Sequence, residues 1–201
     1  MHGKFLILLV FISGLVVLGA ELSASRLLAP FFGTSLPVWT SLIGLILICI
    51  AIGNWIGGRL ADRSPHLRTL LHFCFAGAVL IALVPMLSKP VLAIATQQFN
   101  QMNVGMLVGS FIGVALLLGL PMILLGCVTP FAVRIATDDV QAAGRIAGRI
   151  FAASTIGSFV GCFLPVLILI PTYGTRWTFI LLGSLLILTA AAGYVRLGRI
   201  R

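Results

Sequence analysis

The stretch that decides the fold is Gly57-Gly58-Arg59-Leu60-Ala61-Asp62-Arg63. It lies where an uncharged, mostly apolar run that begins at Val38 gives way abruptly to charged residues. A run of this length is typical of a membrane-crossing helix, because a hydrocarbon core about 30 Å thick requires about 20 helical residues. The glycine pair would let a neighbouring helix approach closely. The charges that follow mark the point where this helix is expected to leave the membrane.

The composition of the rest of the chain agrees with this interpretation. Of its 201 residues, 60% are hydrophobic and only 8% are charged. In soluble domains about a quarter of residues are charged, so a soluble globular domain is excluded. No polar block is long enough to fold separately, and we expect a single membrane domain over residues 1–201. The net charge of +9 does not indicate a nucleic-acid surface, because the basic residues lie at the ends of apolar runs rather than in one patch.

Six apolar segments are long enough to cross a membrane as helices. The fourth contains Pro121 and Pro130, which are expected to kink it or to break its last turn. The first could be read as a cleaved signal peptide, but its apolar run continues past Ala20 to Phe32, so we expect a retained span. The predicted spans are Phe5–Ala29, Val38–Leu60, Thr69–Leu87, Val104–Val133, Ile150–Ile170 and Trp177–Val195.

The distribution of basic residues predicts the orientation of these spans. With a cytoplasmic N-terminus, ten basic residues fall on the cytoplasmic side and three lie elsewhere. Both termini are therefore expected inside. The connection Ser88–Asn103 is expected outside, either as a short helix in the interface or as a plain loop. The ten inner residues are Lys4, Arg59, Arg63, Arg68, Arg134, Arg145, Arg149, Arg196, Arg199 and Arg201, and the other three are Arg26, Lys89 and Arg176.

A weak internal repeat relates the two halves of the chain. Since the first and fourth spans are expected to run in opposite directions, the halves would form an inverted 3+3 repeat, which is typical of transporters. The recurring pairs are Leu18-Gly19 with Leu118-Gly119, Pro30-Phe31 with Pro130-Phe131, and Gly53/Gly57 with Gly157/Gly161.

Glu21 is the one acidic residue within any of the six apolar runs. An unpaired carboxylate in hydrocarbon costs several kcal/mol, so Glu21 is expected to face the bundle interior. This predicts a cation or proton site; the alternative is a structural partner for a polar group on a neighbouring helix. Ser25 lies one turn further on the same face. Arg26 does not, and it either reaches the headgroups or serves an outer gate.

Gly58, Asp62 and Arg63 resemble the loop lock of the major facilitator transporters, and this resemblance implies that they fix the end of the second span and favour one access state. The alternative is ordinary charge at a helix end. The four cysteines lie inside apolar runs without metal-type spacing, so neither a disulfide nor a metal site is predicted. The sequence contains no catalytic triad or phosphate-binding glycine loop, so we expect neither an enzyme nor a cofactor.

Two stretches together resemble the membrane domain of the fused bacterial proteins that join a major facilitator superfamily (MFS) domain to a spermidine-synthase-like domain. The resemblance covers nearly the whole chain. It implies a half-MFS domain of six spans in the bacterial cytoplasmic membrane. The first stretch is Glu21-x3-Ser25-Arg26-x3-Pro30-x2-Gly33-x-Ser35-x3-Trp39, continued by Gly53-x3-Gly57-Gly58-x3-Asp62-Arg63. The second is Gly148-Arg149-x5-Ser154-Thr155-Ile156-Gly157-Ser158-x2-Gly161, closing with Leu169-Ile170-Pro171-x2-Gly174-Thr175-Arg176.

The resemblance also implies ligand-binding roles for Glu21, Ser25, Arg26, Ser154 and Thr155. Ser154 stands where the pattern is expected to have Asn, so a contact made by that amide would be weakened here. In this family the membrane domain is often followed by a soluble aminopropyltransferase-like Rossmann domain. The 201 residues contain no dinucleotide fingerprint or acidic polyamine-binding loop, so enzymatic activity is not expected to carry over.

Three functions follow from these observations. The first is binding or transport of a small cation, with a polyamine as the candidate that the resemblance implies. The second is a non-catalytic structural subunit of a larger membrane complex. The third is a membrane anchor for a separate aminopropyltransferase. Because six spans are half of a standard MFS transporter, we expect a homodimer or other membrane subunits as partners.

Overall fold

The computed structural model describes residues 2–99, 105–137 and 140–198, and within these ranges the chain is helical apart from short turns. The all-α class predicted from the sequence is confirmed, and several of the helices are long and apolar enough for a multi-pass membrane protein. The helices are α1 (His2–Phe32), α2 (Leu36–Arg63), α3 (Leu67–Phe99), α4 (Gly105–Val114), α5 (Leu120–Gly126), α6 (Val128–Ala136), α7 (Ala143–Leu164) and α8 (Ile170–Gly198).

The described residues form five continuous apolar helical stretches rather than the six separate spans predicted. The difference lies at the end of the chain, where the last two predicted spans belong to one stretch of 56 residues, Ala143–Gly198. This stretch is not a straight helix, because Gly174 has φ 80° and ψ 165°. Glycine accepts this backbone conformation since it has no Cβ. Gly174 therefore breaks the helix between the positions where the sequence predicted two spans joined by a loop.

The fourth stretch is interrupted near both prolines, as predicted. A π-helical turn, Ala115–Gly119, directly precedes α5, in which Pro121 is the second residue. A further turn at Cys127 lies three residues before Pro130. Proline cannot donate the helical hydrogen bond and its ring clashes with the carbonyl four residues earlier, so the backbone must adjust on that side. A second π-helical turn, Pro165–Leu169, joins α7 to α8.

Helix α3 is longer than the sequence predicted. It continues through Pro85 and Pro90 to Phe99, so neither the interfacial helix nor the loop expected after Leu87 is correct for residues 88–99. The extension packs against α4, because Leu92 is fully buried beside the position that a Cβ on Gly113 would occupy. Residues 100–104, with the remaining polar side chains of this connection, lie outside the described ranges, as do residues 138 and 139.

Helix α1 packs in parallel against α7. A Cβ added to Gly157 would lie 3.0 Å from the Cα of Phe11, and one added to Gly161 would lie 2.9 Å from the Cα of Leu15. The residue numbers of the two helices thus rise together. Gly161 therefore lies directly against the backbone of α1.

Helix α8 packs against α1 in the opposite direction. Leu182 lies beside Gly19, whereas Gly193, further along α8, lies beside Phe5. Along this interface the residue numbers of α8 rise as those of α1 fall, so the two helices are antiparallel. Because α7 is parallel to α1 and α8 is antiparallel to it, the chain reverses direction between α7 and α8, in the region of Gly174.

Helix α2 packs in parallel against the fourth stretch. The hydroxyl of Ser41 lies 3.3 Å from the carbonyl oxygen of Leu107 near the start of both elements. Near their ends, a Cβ added to Gly57 would lie 2.6 Å from the Cα of Cys127. The predicted backbone contact of Gly57 is confirmed, and it brings α2 and the turn before α6 together.

A candidate intramembrane carboxylate site

Glu21 is buried in the bundle, with 9% of its surface exposed, so it faces the interior as predicted. Among the described residues, no side chain forms a hydrogen bond or ion pair with its carboxylate. Its oxygens are nevertheless not sealed, since the described part of the chain contains no fully enclosed side-chain oxygen or nitrogen that lacks a partner. A buried carboxylate that is unpaired and still reaches open space is available to a cation, a proton or water.

Glu21 lies on α1 between two cavities. Val17, four residues before it, lines one cavity, and Ser25, four residues after it, lines the other. Residues four apart share a helix face, and each step of four covers about 6 Å along the axis. The carboxylate is thus one helical turn from a lining residue of each cavity.

The cavity on the Val17 side, here named the polar cavity, has a volume of about 210 Å³. It is bounded by α1, α2, α7 and the fourth stretch, and its lining residues include no charged side chain. The hydroxyl of Ser158 donates to the carbonyl of Gly14 (3.2 Å), which links α7 to α1 beside it. The polar side chains around it are Ser13, Asn54, Thr129, Ser154, Thr155 and Ser158. Such a lining would hold water or a small polar ligand.

The cavity on the Ser25 side, here named the Arg26 groove, has a volume of about 390 Å³. It lies between α1, α2 and the π-helical turn after α7. The Ser25 hydroxyl donates to the Leu22 carbonyl (2.8 Å) of its own helix and not to Glu21, although the two residues share a helix face. The lining residues are Leu22, Ser25, Arg26, Gly33, Thr34, Val38, Trp39, Leu42 and Val166.

The predicted ligand-binding residues therefore do not share one pocket. Ser154 and Thr155 line the polar cavity, Ser25 and Arg26 line the groove, and Glu21 lies between them. Sequence reasoning missed most of the polar cavity, because its lining comes from four separate parts of the chain. Asn54 carried a usable signal, since it is the one amide in the apolar run of α2.

The predicted loop lock is built differently from the expectation. Asp62 pairs with Arg134, Oδ1 to Nε, at 3.3 Å, and so connects the end of α2 to α6. Gly58 is not a contact glycine, because a Cβ there would meet nothing within 4 Å. The neighbouring Arg59 places its guanidinium 3.8 Å from the ring centroid of Trp55. The close helix approach predicted for this motif belongs to Gly57 alone.

No protein-family model, curated protein or solved structure matches this chain. The similarity to the MFS/spermidine-synthase-like proteins therefore stays a prediction from the motifs. The geometry around Glu21 is the feature of this chain that points to a function.

Proposed function

We propose that this protein is a half-MFS-type membrane protein that binds a small cation at Glu21, with the polar cavity as the route by which the cation arrives. The observation that carries the proposal is the position of Glu21, which is buried, unpaired among the described residues and one turn from a lining residue of each cavity. Ionisable groups inside membrane bundles typically mark ion, proton or substrate pathways.

The cation is a protonated amine or a single inorganic ion in this proposal. Glu21 provides one negative charge, which suits one ammonium group. A polyamine, the ligand that the resemblance implies, would place one ammonium at Glu21. Its remaining amines would lie among the hydroxyl and amide groups of the polar cavity, which can accept their hydrogen bonds.

Six membrane crossings form part of the proposal, with both termini on the cytoplasmic side of a bacterial inner membrane. The parallel pairing of α1 with α7, together with the antiparallel pairing of α1 with α8, supports an up-and-down order in which the chain turns near Gly174. The excess of basic residues at one end supports the orientation.

An inverted 3+3 repeat is supported by two equivalent helix pairs. Gly57 of the second segment packs on Cys127 of the fourth, and Gly161 of the fifth packs on Leu15 of the first. In a 3+3 repeat the first and second segments correspond to the fourth and fifth. The contact between the second and fourth segments is therefore the counterpart of the contact between the fifth and first. This register aligns Leu15 with Cys127, an offset that differs from that of the recurring Leu-Gly and Pro-Phe pairs, so the helix contacts and not those pairs support the proposed repeat.

The partner in this proposal is a second copy of the chain. Asn54 on α2 and Thr155 on α7 are exposed beside the polar cavity, at membrane depth. A polar side chain facing lipid is costly. Across a two-fold axis Asn54 would face itself, and an amide can pair with its own copy because it has both donors and an acceptor.

Binding of a defined cation to purified protein tests the proposal. Spermidine and sodium are titrated separately into protein in detergent, followed by calorimetry. The parent is expected to bind one of them and Glu21→Gln to bind neither, because the amide keeps the shape but loses the charge. Glu21→Asp, which keeps the negative charge on a side chain one methylene shorter, is the matched control and should retain binding. Equal binding by Glu21→Gln and the parent would refute the proposal.

The second candidate is a non-transporting subunit of a larger membrane complex. An exposed apolar groove on α7 and the following π-helical turn favours it, lined by Phe159, Val160, Phe163, Leu164, Leu167 and Ile168. In that case Glu21→Gln would leave cation uptake unaffected, and another membrane chain would co-purify in fixed ratio. The role as an anchor for an aminopropyltransferase stays a prediction from the resemblance.

A further inference from the structure

The Arg26 groove presents hydrogen-bond donors without a matching acid. Arg26 is exposed, and the one ion pair among the described residues joins Asp62 to Arg134 instead. Within the same described ranges, neither the hydroxyl of Thr34 nor the indole of Trp39 has a hydrogen-bond partner. A guanidinium and an indole N–H can only donate, and the hydroxyl can donate as well. Such a set is suited to an anion with several oxygen atoms.

The rest of the groove is hydrocarbon. Leu22, Leu42 and Val166 provide walls from α1, α2 and the π-helical turn, and Leu42 is fully buried at its base. The volume of about 390 Å³ falls within the range of small-molecule sites. A free inorganic anion would leave these apolar walls exposed. The lining therefore fits an amphiphile that combines an anionic head with an acyl chain.

The position of the groove along the helices agrees with such a ligand. Arg26 lies six residues before the end of α1, and Trp39 lies in the first turn of α2. Arginine and tryptophan near the end of a membrane helix are typical of the headgroup level. Gly33, with φ 74°, makes the tight turn between the two helices and borders the groove.

We propose that the Arg26 groove binds one anionic phospholipid, with its phosphate on Arg26, Thr34 and Trp39 and an acyl chain along Leu22 and Val166. Basic pockets between membrane helices recognise anionic headgroups in this way. The inference rests on the membrane insertion in the proposed function and does not depend on cation binding at Glu21.

The test is a titration of the detergent-purified protein with phosphatidylglycerol, with bound lipid counted by native mass spectrometry. One molecule should bind in preference to phosphatidylcholine. Arg26→Gln should weaken its binding about tenfold, since a charge-assisted contact is lost, and Arg26→Lys should weaken it less. Arg176→Gln is the matched control: Arg176 is exposed at the same end of the bundle but does not line the groove.

Two results would overturn the proposal. If Arg26→Gln and Arg176→Gln weaken phosphatidylglycerol binding equally, the lipid is attracted by basic residues in general and not by this groove. If equimolar glycerol 3-phosphate displaces the lipid, the groove is a site for soluble phosphate compounds. If Arg26→Gln does not purify, Thr34→Val is compared with Thr172→Val, an exposed hydroxyl outside the groove, and only the former should weaken lipid binding. Glu21→Gln should bind phosphatidylglycerol like the parent. A parent protein that binds this lipid but neither spermidine nor sodium would therefore refute the cation site and leave the lipid site standing.

Discussion

The Nε of Arg134 lies 3.3 Å from the Oδ1 of Asp62, and this pair holds the end of α2 against α6. Thr129, which lines the polar cavity, is on α6 five residues before Arg134. The pair therefore lies just beyond one end of that cavity. We expect it to restrict access to this cavity from the proposed cytoplasmic side.

Breaking this pair is expected to open the polar cavity. In a background with the four native cysteines replaced by alanine, Thr129→Cys should react faster with a water-soluble thiol reagent when Asp62→Asn is added. The exchanged pair Asp62→Arg with Arg134→Asp should restore the slow rate. Both groups are exposed, so the coupling free energy is expected to be about 0.2–1 kcal/mol and to fall with added salt. An unchanged labelling rate would show that the pair does not limit access.

The contact between Gly161 and Leu15 predicts a large, localised packing effect. Gly161→Leu would force a side chain into the backbone of α1 and should lower the free energy of unfolding by about 1–3 kcal/mol. Gly148→Leu is the matched control on the same helix, because a Cβ there meets nothing within 4 Å. Thermal unfolding of both variants in detergent should show a lower Tm for the first alone. Similar Tm values for the two would contradict the parallel packing of α1 and α7.

Apolar run length predicted α1 and α2 well, because hydrocarbon thickness sets the length of a crossing helix. It failed for α3, where Pro85, Pro90 and the polar residues beyond them indicated an end that the packing of Leu92 against α4 overrides. Near Gly174 it predicted two spans joined by a loop, whereas the structure has one helical stretch broken at a single glycine, because the length of an apolar run carries no information on the backbone angles of one residue.

For the site, the energetic argument placed Glu21 correctly in the interior, because burial of a lone carboxylate is costly in any fold. The separation of Ser154 from Arg26 into two cavities could not be predicted in the same way. It depends on how α7 is aligned along α1, and that register is set by glycine contacts between residues far apart in sequence.

The reversal near Gly174 predicts the topology of the last stretch. In the same cysteine-free background, Tyr173→Cys should react with an impermeant reagent in intact cells, and Gly198→Cys should react only after lysis. Tyr173 is 60% exposed, so its replacement is not expected to disturb packing. Labelling of both positions from outside would mean a single crossing after α6 and would remove the six-crossing arrangement.

The exposed amide of Asn54 predicts a two-fold interface. Asn54→Cys should form a disulfide between two copies in membranes treated with a mild oxidant, giving a dimer on a non-reducing gel. Leu188→Cys is the control, because Leu188 is 68% exposed on α8, away from the polar cavity. Cross-linking through Leu188 rather than Asn54 would place the second copy on a different face.

The turn at Gly174 also limits how the protein can be handled. Since the chain reverses at Gly174 with helical residues directly on both sides, there is little spare chain at this point to accept an epitope tag or to enter the active site of a protease. An inserted tag would have to unwind α8 at its start and would pull Thr178, buried with its hydroxyl on the Gly174 carbonyl, out of place. We therefore expect this corner of the molecule to resist limited proteolysis and to be a poor site for antibody-based detection.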